Sequence, residues 1–142
     1  GRLRWVFDAK AYIFSSPALA GDLALFGNFN GRLYAVNTAT GALAWEFQTE
    51  ASKQDRLKVL NADGTLNQDA FAPVFGDFQD MYVDFYRYVS IGAIVASPVV
   101  DHGVVYVGAP FCGSGELGHC ASHRGQIVTE LLKLSRPNEL LS

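Results

Sequence analysis

The feature that most constrains the fold is a seven-residue phrase that occurs twice in the chain. The pattern Gly-x-Leu-x-Trp-x-Phe spans residues 1–7 and recurs forty positions later at residues 41–47. Each copy precedes a Ser-Pro pair and a short apolar run, at residues 16–19 and 97–100. The alternation of apolar residues at every second position predicts a strand in each copy. The sequence is therefore built from a repeating unit of short strands.

The first complete unit contains short apolar runs that are separated by turn signals. Apolar runs at residues 23–26, 33–36 and 42–47 follow the Ser-Pro segment at residues 12–20. Glycine and asparagine occur between the runs, where tight turns require them. Residues 9–48 are thus predicted to form one sheet of four antiparallel strands. A strand-rich unit of about 40 residues is typical of a β-propeller blade, so an all-β propeller is expected.

The remaining residues are assigned around this blade. Residues 1–8 are predicted to be the last strand of a preceding blade, and residues 91–142 an incomplete blade with an expanded loop. Residues 49–90 are predicted to be an insertion that packs on the blades or on a partner, because it is rich in aromatic residues. The helical spacing of Met81, Phe85 and Tyr88 predicts a short helix there.

The second blade repeats the first with more divergence. Residues 104–107 match residues 23–26, and residues 125–128 match residues 31–34. Residues 130–134 are predicted to begin a helix or to fray, because no second Gly-x-Leu-x-Trp phrase follows them. A propeller closes at four to eight blades, and each sheet is then covered by its neighbours. Two neighbouring blades alone therefore leave the outer apolar face of each blade uncovered. We expect these apolar faces around the residues Leu23, Phe26, Val105 and Val107, and we expect the missing blades or another protein to cover them.

Charge and hydropathy exclude two classes of partner. The net charge is -3, with 11 Lys and Arg against 14 Asp and Glu, and no basic patch suited to nucleic acid is present. No apolar run approaches the roughly 20 residues that cross a bilayer. Neither nucleic-acid binding nor a membrane span is predicted.

Two stretches resemble a known repeat. Residues 31–45 and 97–108 are similar to the pyrroloquinoline-quinone-type propeller repeat, and the resemblance extends over residues 1–48 and 91–108, more weakly over 125–129. The resemblance implies a typically eight-bladed propeller in a periplasmic or extracellular location. It also implies that Trp5 and Trp45 dock one blade against the next. The family contains quinoprotein dehydrogenases and cofactor-free proteins such as outer-membrane assembly lipoproteins, so the repeat does not decide activity.

The catalytic members of this family hold their quinone between a tryptophan and a disulfide of adjacent cysteines, beside a calcium or lanthanide ion. Here Cys112 and Cys120 are eight positions apart, and no acidic cluster matches the ion site. No cofactor and no metal are therefore predicted for this stretch. Pyrroloquinoline quinone with calcium belongs only to the alternative in which the chain is part of a dehydrogenase that oxidises an alcohol or sugar.

The two cysteines lie in one loop with His119 and His123. Their spacing matches no standard structural zinc site. In an oxidising compartment, a disulfide between Cys112 and Cys120 would close the loop and contribute roughly 2–3 kcal/mol. Two unpaired thiols and a metal site are alternatives that the sequence leaves open.

Other candidate sites have simpler explanations. Residues 61–67 resemble the middle of a calcium loop, but Val59 and Ala70 stand where that loop needs oxygen ligands, so a turn is expected. Three aspartates at positions 77, 80 and 84 are either paired carboxylates or a solvated face. No catalytic triad is apparent, so catalytic residues and a small-molecule ligand are unknown. A secreted or periplasmic scaffold for binding or assembly is the function expected.

Overall fold

The computed structural model describes residues 1–71, 78–109 and 129–133. These residues form seven strands and two α-helices. The strands are β1 (Ala18–Ala20), β2 (Leu23–Gly27), β3 (Arg32–Asn37), β4 (Leu43–Gln48), β5 (Val99–Asp101), β6 (Val104–Gly108) and β7 (Thr129–Lys133). The helices are α1 (Glu50–Gln54) and α2 (Phe78–Ser90), with a short 3-10 helix at Gln68–Ala70 between them.

The first sheet has the strand order β1-β2-β3-β4, and every neighbouring pair is antiparallel. The turn between β1 and β2 begins at Gly21, whose φ of 61° favours glycine. The buried hydroxyl of Ser15 accepts from the Gly27 N–H and donates to the Gly27 carbonyl, both at 2.9 Å. The predicted four-stranded antiparallel sheet is confirmed, and it is compatible with a propeller blade.

The second sheet repeats the first three strands as β5-β6-β7. Val99 lies opposite Tyr106, as Ala18 lies opposite Leu25 in the first sheet. The two sheets are therefore equivalent at the level of strand register.

The prediction of a helix start or frayed end at residues 130–134 is wrong, because β7 occupies residues 129–133 and pairs with β6. Thr129 lies opposite Gly108, as Leu33 lies opposite Gly27, whereas the sequence match assigns Ile127 to that position. A displacement by two residues leaves every residue on the same face of a strand. The apolar pattern alone could not reveal the displacement.

The two sheets share an apolar core. It contains Leu25, Leu33 and Ala35 from the first sheet and Val105 and Val107 from the second, and it also includes Ile94. Equivalent Ser-Pro segments meet beside this core, where the Ser16 N–H donates to the Ser97 hydroxyl at 2.9 Å across 81 positions.

The faces expected to lie uncovered are in fact covered. Val105 and Val107 are buried against the first sheet, and Phe26 is buried by the N-terminal segment. Strand alternation turns Tyr106 away from the shared core instead, and Val99 is 60% exposed. In the second sheet, the uncovered apolar residues Val99 and Tyr106 therefore lie on the face opposite to that of Val105 and Val107.

The N-terminal segment lies on the other face of the first sheet. Trp5, Phe7 and Ala9 pack against Phe26, Tyr34 and Val36. Residues 1–9 join no sheet within the described part of the chain, although the sequence predicts a strand at residues 1–8. A strand needs a neighbour that pairs with its backbone, and this segment contacts the first sheet through side chains.

The insertion forms a separate small core beside the turn between β2 and β3. Val59, Leu66 and Ile91 are buried there, and Phe71 and Tyr88 pack against them. The predicted helix is confirmed as α2. No helix in the described residues is long and apolar enough to cross a membrane.

Candidate functional site

Aromatic side chains from three parts of the chain meet at one surface. We call this the aromatic surface; it consists of Tyr12, Phe14, Phe29, Phe71 and Tyr88. The Phe29 ring lies 5.1 Å from the Phe14 ring and 4.6 Å from the Tyr88 ring, measured between centroids, both in edge-to-face geometry. Tyr88 in turn stacks on Phe71 at 4.7 Å. Such arrangements are the favoured ones for aromatic pairs.

The turn between β2 and β3 positions this surface. The Phe29 N–H donates to the Tyr12 carbonyl at 3.0 Å, which holds the two segments side by side. On either side of Phe29, the side chains of Asn28 and Asn30 are fully buried. A buried polar residue on each side leaves the phenylalanine as the group that faces outward. Sequence reasoning did not single out Tyr12, Phe14 or Phe29; an aromatic residue between two asparagines in a turn is the signal that marks this position.

The helix α2 extends the aromatic surface into solvent. Tyr88 packs inward, whereas Met81, Tyr82 and Phe85 are exposed large apolar side chains in the first part of the helix. Within the same helix, Arg87 donates to Asp84 at 3.0 Å. Contiguous exposed apolar groups of this kind mark interaction sites more often than isolated ones do.

Two tyrosines at or near the surface have raised pKa values. Burial is the main cause of the raised pKa of the Tyr88 hydroxyl, with smaller contributions from Tyr12 and Asp84. Burial also raises the pKa of Tyr34, although hydrogen bonding by Asn30 and the nearby Arg32 oppose it. Both phenols are therefore neutral at ordinary pH, and neither is poised to act as a base.

A buried polar cluster holds the turn that carries Phe29. The Tyr34 hydroxyl and the Asn28 amide both donate to the Ala9 carbonyl, at 3.2 and 2.6 Å. The Asn30 amide donates to the Gly64 carbonyl of the insertion at 2.8 Å. In the described part of the chain the Asn30 side-chain oxygen has no partner of normal hydrogen-bond geometry. These bonds attach both the N-terminal segment and the insertion to one turn.

The two tryptophans lie at different interfaces of the first sheet. The Trp5 indole N–H donates to the Thr38 carbonyl at 2.9 Å, and the ring lies so close to Gly41 that a Cβ there would stand 2.7 Å from it. Trp45 is half-buried and packs against the core that the two sheets share. Each tryptophan thus packs against one face of the first sheet.

The predicted site residues in the loop of the second sheet lie outside the described residues. This applies to Cys112, Cys120, His119 and His123, so the candidate disulfide remains a prediction, and Asp77 is also outside. Residues 61–65 form a closed turn in which Asp63 accepts from the Thr65 N–H at 3.0 Å. The hydrogen bond from the Thr65 hydroxyl, followed by this backbone bond, lowers the pKa of Asp63. In the parts of the chain that are described, no three His, Cys, Asp or Glu residues are grouped as metal ligands.

The described residues do not fit a quinone site. Such a site needs a tryptophan face that is open to a planar ligand and a pair of adjacent cysteines. The Trp5 ring lies against Gly41 and Trp45 packs on the shared core, while the two cysteines are not adjacent in the sequence.

Comparison with known proteins finds similarity in solved structures. No family model matches the sequence, and no curated protein matches it. The crystal structure of BamB from Moraxella catarrhalis is similar at 16% sequence identity with a TM-score of 0.37. The match covers 77% of this chain and 23% of that one, so the chain spans less than a quarter of its length.

Proposed function

We propose that the chain is part of a β-propeller of the pyrroloquinoline-quinone-type repeat that serves as a scaffold for binding or assembly. Two equivalent sheets packed face to face support the propeller, because blades of a propeller pack in this way. The Trp5 contact with Thr38 and Gly41 supports a docking role for this tryptophan, and Trp45 occupies the same position of the repeat. The family resemblance supports a periplasmic or extracellular location.

The observation that carries the binding role is the aromatic surface and its continuation on α2. Phe14 of the aromatic surface and Tyr82 and Phe85 on α2 are large, apolar and exposed. Phe14 pairs with Phe29, which in turn pairs with Tyr88 of the same helix. Aromatic residues and methionine are enriched in protein interfaces, and aromatic side chains bury much area with little loss of conformational freedom. The proposed ligand is an apolar or aromatic segment of another protein.

The dehydrogenase alternative lacks a comparable observation. It would require a ligand-accessible tryptophan, adjacent cysteines and an ion site, and the described residues supply none of the three.

Selection of displayed peptides on the 142-residue chain tests the proposal. We expect enriched peptides to contain aromatic or aliphatic residues, and their binding to be lost when Tyr82 and Phe85 are both changed to serine. The matched control is Leu57→Ser, which replaces an exposed apolar residue outside the aromatic surface. Peptides that bind the parent and the Tyr82→Ser/Phe85→Ser variant equally well, with unchanged circular dichroism, would overturn the proposed binding role.

A further inference from the structure

The turn between β2 and β3 contains the only Asn-Gly pair of the sequence, Asn30-Gly31. An asparagine that precedes glycine is prone to deamidation, because glycine has no side chain to hinder ring closure. The Gly31 backbone nitrogen attacks the Asn30 Cγ atom, the Cγ–Nδ2 bond breaks, and the Gly31 N–H proton leaves with the amide nitrogen as ammonia. Water then opens the cyclic imide to aspartate or isoaspartate. The pair is therefore reactive wherever the backbone is free to close this ring.

The fold uses both residues of this pair to attach the insertion. Gly31 has a φ of +75°, and a Cβ there would lie 2.5 Å from the Ile91 carbonyl, so a larger residue does not fit. The Asn30 side chain is fully buried, and its amide donates to the Gly64 carbonyl of the insertion at 2.8 Å. A chemically reactive pair thus lies at the point where the insertion meets the first sheet.

The attached insertion holds this pair in a conformation that cannot cyclise. The Ser52 hydroxyl donates to the Asn30 carbonyl at 2.6 Å, and the Thr49 N–H donates to the Gly31 carbonyl at 2.9 Å. Ring closure requires the Asn30 side chain to leave Gly64 and to turn towards the Gly31 nitrogen. All three bonding partners belong to the insertion, so its detachment frees the side chain and the backbone of the pair together.

We propose that Asn30 is a deamidation site that is protected while the insertion is attached, and that its product prevents reattachment. Deamidation replaces the amide nitrogen that donates to the Gly64 carbonyl by an oxygen, which cannot donate when the new carboxyl group is ionised. Two acceptors would then face each other in a buried position, which is unfavourable. Arg32 lies beside Gly64, but its guanidinium bonds to Glu46. The reaction is therefore a one-way release of the insertion.

Release of the insertion changes the aromatic surface, because that surface combines residues from both parts. Phe29 directly precedes Asn30 in the turn, whereas Tyr88 and Phe71 come from the insertion. The Phe29 and Tyr88 rings, now 4.6 Å apart, would separate on detachment. The inference goes beyond the proposed function and does not rest on ligand binding, since it follows from the hydrogen bonds and chemistry of the Asn-Gly pair.

Peptide mapping by mass spectrometry, after incubation of the 142-residue chain, tests the protection of Asn30. The internal reference is Asn28, which is buried in the same turn but precedes a bulky phenylalanine. Ser52→Ala removes the hydroxyl that holds the Asn30 carbonyl and leaves the Asn-Gly pair intact. We expect deamidation of Asn30 to become about tenfold faster in this variant, because a lost hydrogen bond to a buried group favours local opening.

Ser15→Ala is the matched control for this substitution. Ser15 is also a buried serine whose hydroxyl donates to a backbone carbonyl, but it lies beside the first sheet. The deamidation rate of Asn30 should stay close to that of the parent in this control. Equal acceleration in both variants would overturn the protection by the insertion, because the reaction would then proceed through unfolding of the whole chain. Deamidation of Asn30 no faster than that of Asn28 in Ser52→Ala would overturn the site itself.

Amide hydrogen exchange on Asn30→Asp tests the effect of the product. We expect faster exchange over residues 50–71, with the strands β2 and β3 still protected. Gln54→Glu makes the same change from amide to carboxylate at an exposed position of the insertion, and it should leave exchange unchanged. Equal exchange in the two variants would overturn the proposed release. Loss of protection in β2 and β3 as well would also overturn it, because the modification would then unfold the first sheet.

Discussion

The first sheet and the insertion are held together by different kinds of interaction. In the sheet, buried apolar residues such as Leu25 and Leu33 face a second sheet, and β2 and β3 pair without a break in register. In the insertion, side chains bond to backbone groups: the Asp55 carboxylate accepts from the N–H groups of Val59 and Leu60 at 2.9 and 3.1 Å. The alternation of apolar residues along the strands determines which side chains of the sheet are buried. The hydrogen bonds of the insertion depend instead on single polar residues. A periodic sequence pattern therefore predicts the strands of the sheet but not the hydrogen bonds of the insertion.

Removing a large side chain from the shared core should have the greatest effect. Leu25 is fully buried between the two sheets. Leu25→Ala should lower the free energy of unfolding by about 2–5 kcal/mol, through lost burial and the cavity left behind. Chemical denaturation measures this, with Leu57→Ala at an exposed position as the control. A loss no larger than that of the control would show that the sheets do not share a core.

Filling the space at Gly31 should separate the insertion from the first sheet. Gly31 has a φ of +75°, and a Cβ there would lie 2.5 Å from the Ile91 carbonyl and 2.6 Å from the Thr49 hydroxyl. Gly31→Ala should cost about 1–3 kcal/mol, because steric overlap adds to backbone strain.

Gly103 provides the matched control for this substitution. It has the same φ of +75° but nothing within 4 Å of a Cβ. Gly103→Ala therefore measures the strain alone. Equal losses of stability in the two variants would show that the insertion does not pack on the turn as described.

The strands were largely predictable from sequence, whereas in the insertion only the helix α2 was. The alternation at β2, β3 and β4 and the glycine turns between them are visible in the sequence. The position of β7 was not, because a shift by two residues preserves its pattern. In the insertion, the attachment of Asn30 to Gly64 joins residues that no periodicity relates. The aromatic surface was missed for the same reason, since Phe14, Phe29 and Tyr88 come together only through tertiary contacts.

A smaller effect is expected at the start of α1. The Thr49 hydroxyl accepts from the Ser52 N–H at 3.3 Å and donates to the Ile91 carbonyl at 3.1 Å, so it caps the helix and joins both ends of the insertion. Thr49→Ala should cost about 0.5–2 kcal/mol. Thr49→Ser keeps the hydroxyl and should recover most of this. Amide hydrogen exchange should show the loss in the insertion before the first sheet; uniform loss in both would contradict the separation of the two regions.

The smallest effect concerns pH. The raised pKa of Tyr34 means that the folded state favours the neutral phenol. Its contribution to stability is complete below the ordinary pKa of 10.0 and is lost as the pH rises through the higher pKa of the folded state. A rise in pH above 10 should therefore lower the free energy of unfolding of the parent more than that of Tyr34→Phe, as measured by chemical denaturation. Identical slopes in the two proteins would show that this hydroxyl is not buried at the interface with the N-terminal segment.

The propeller proposal depends on the face-to-face packing of the two sheets, whose strand registers are equivalent. A nuclear Overhauser measurement on methyl-labelled protein tests it most directly, because Ile94 from the second unit lies against Gly27 of the first. We expect a strong cross-peak between the Ile94 γ2 methyl group and the Gly27 α protons, together with cross-peaks between the methyl groups of Val105 and Leu25. A spectrum of folded protein with assigned signals for these residues and no such cross-peaks would contradict it.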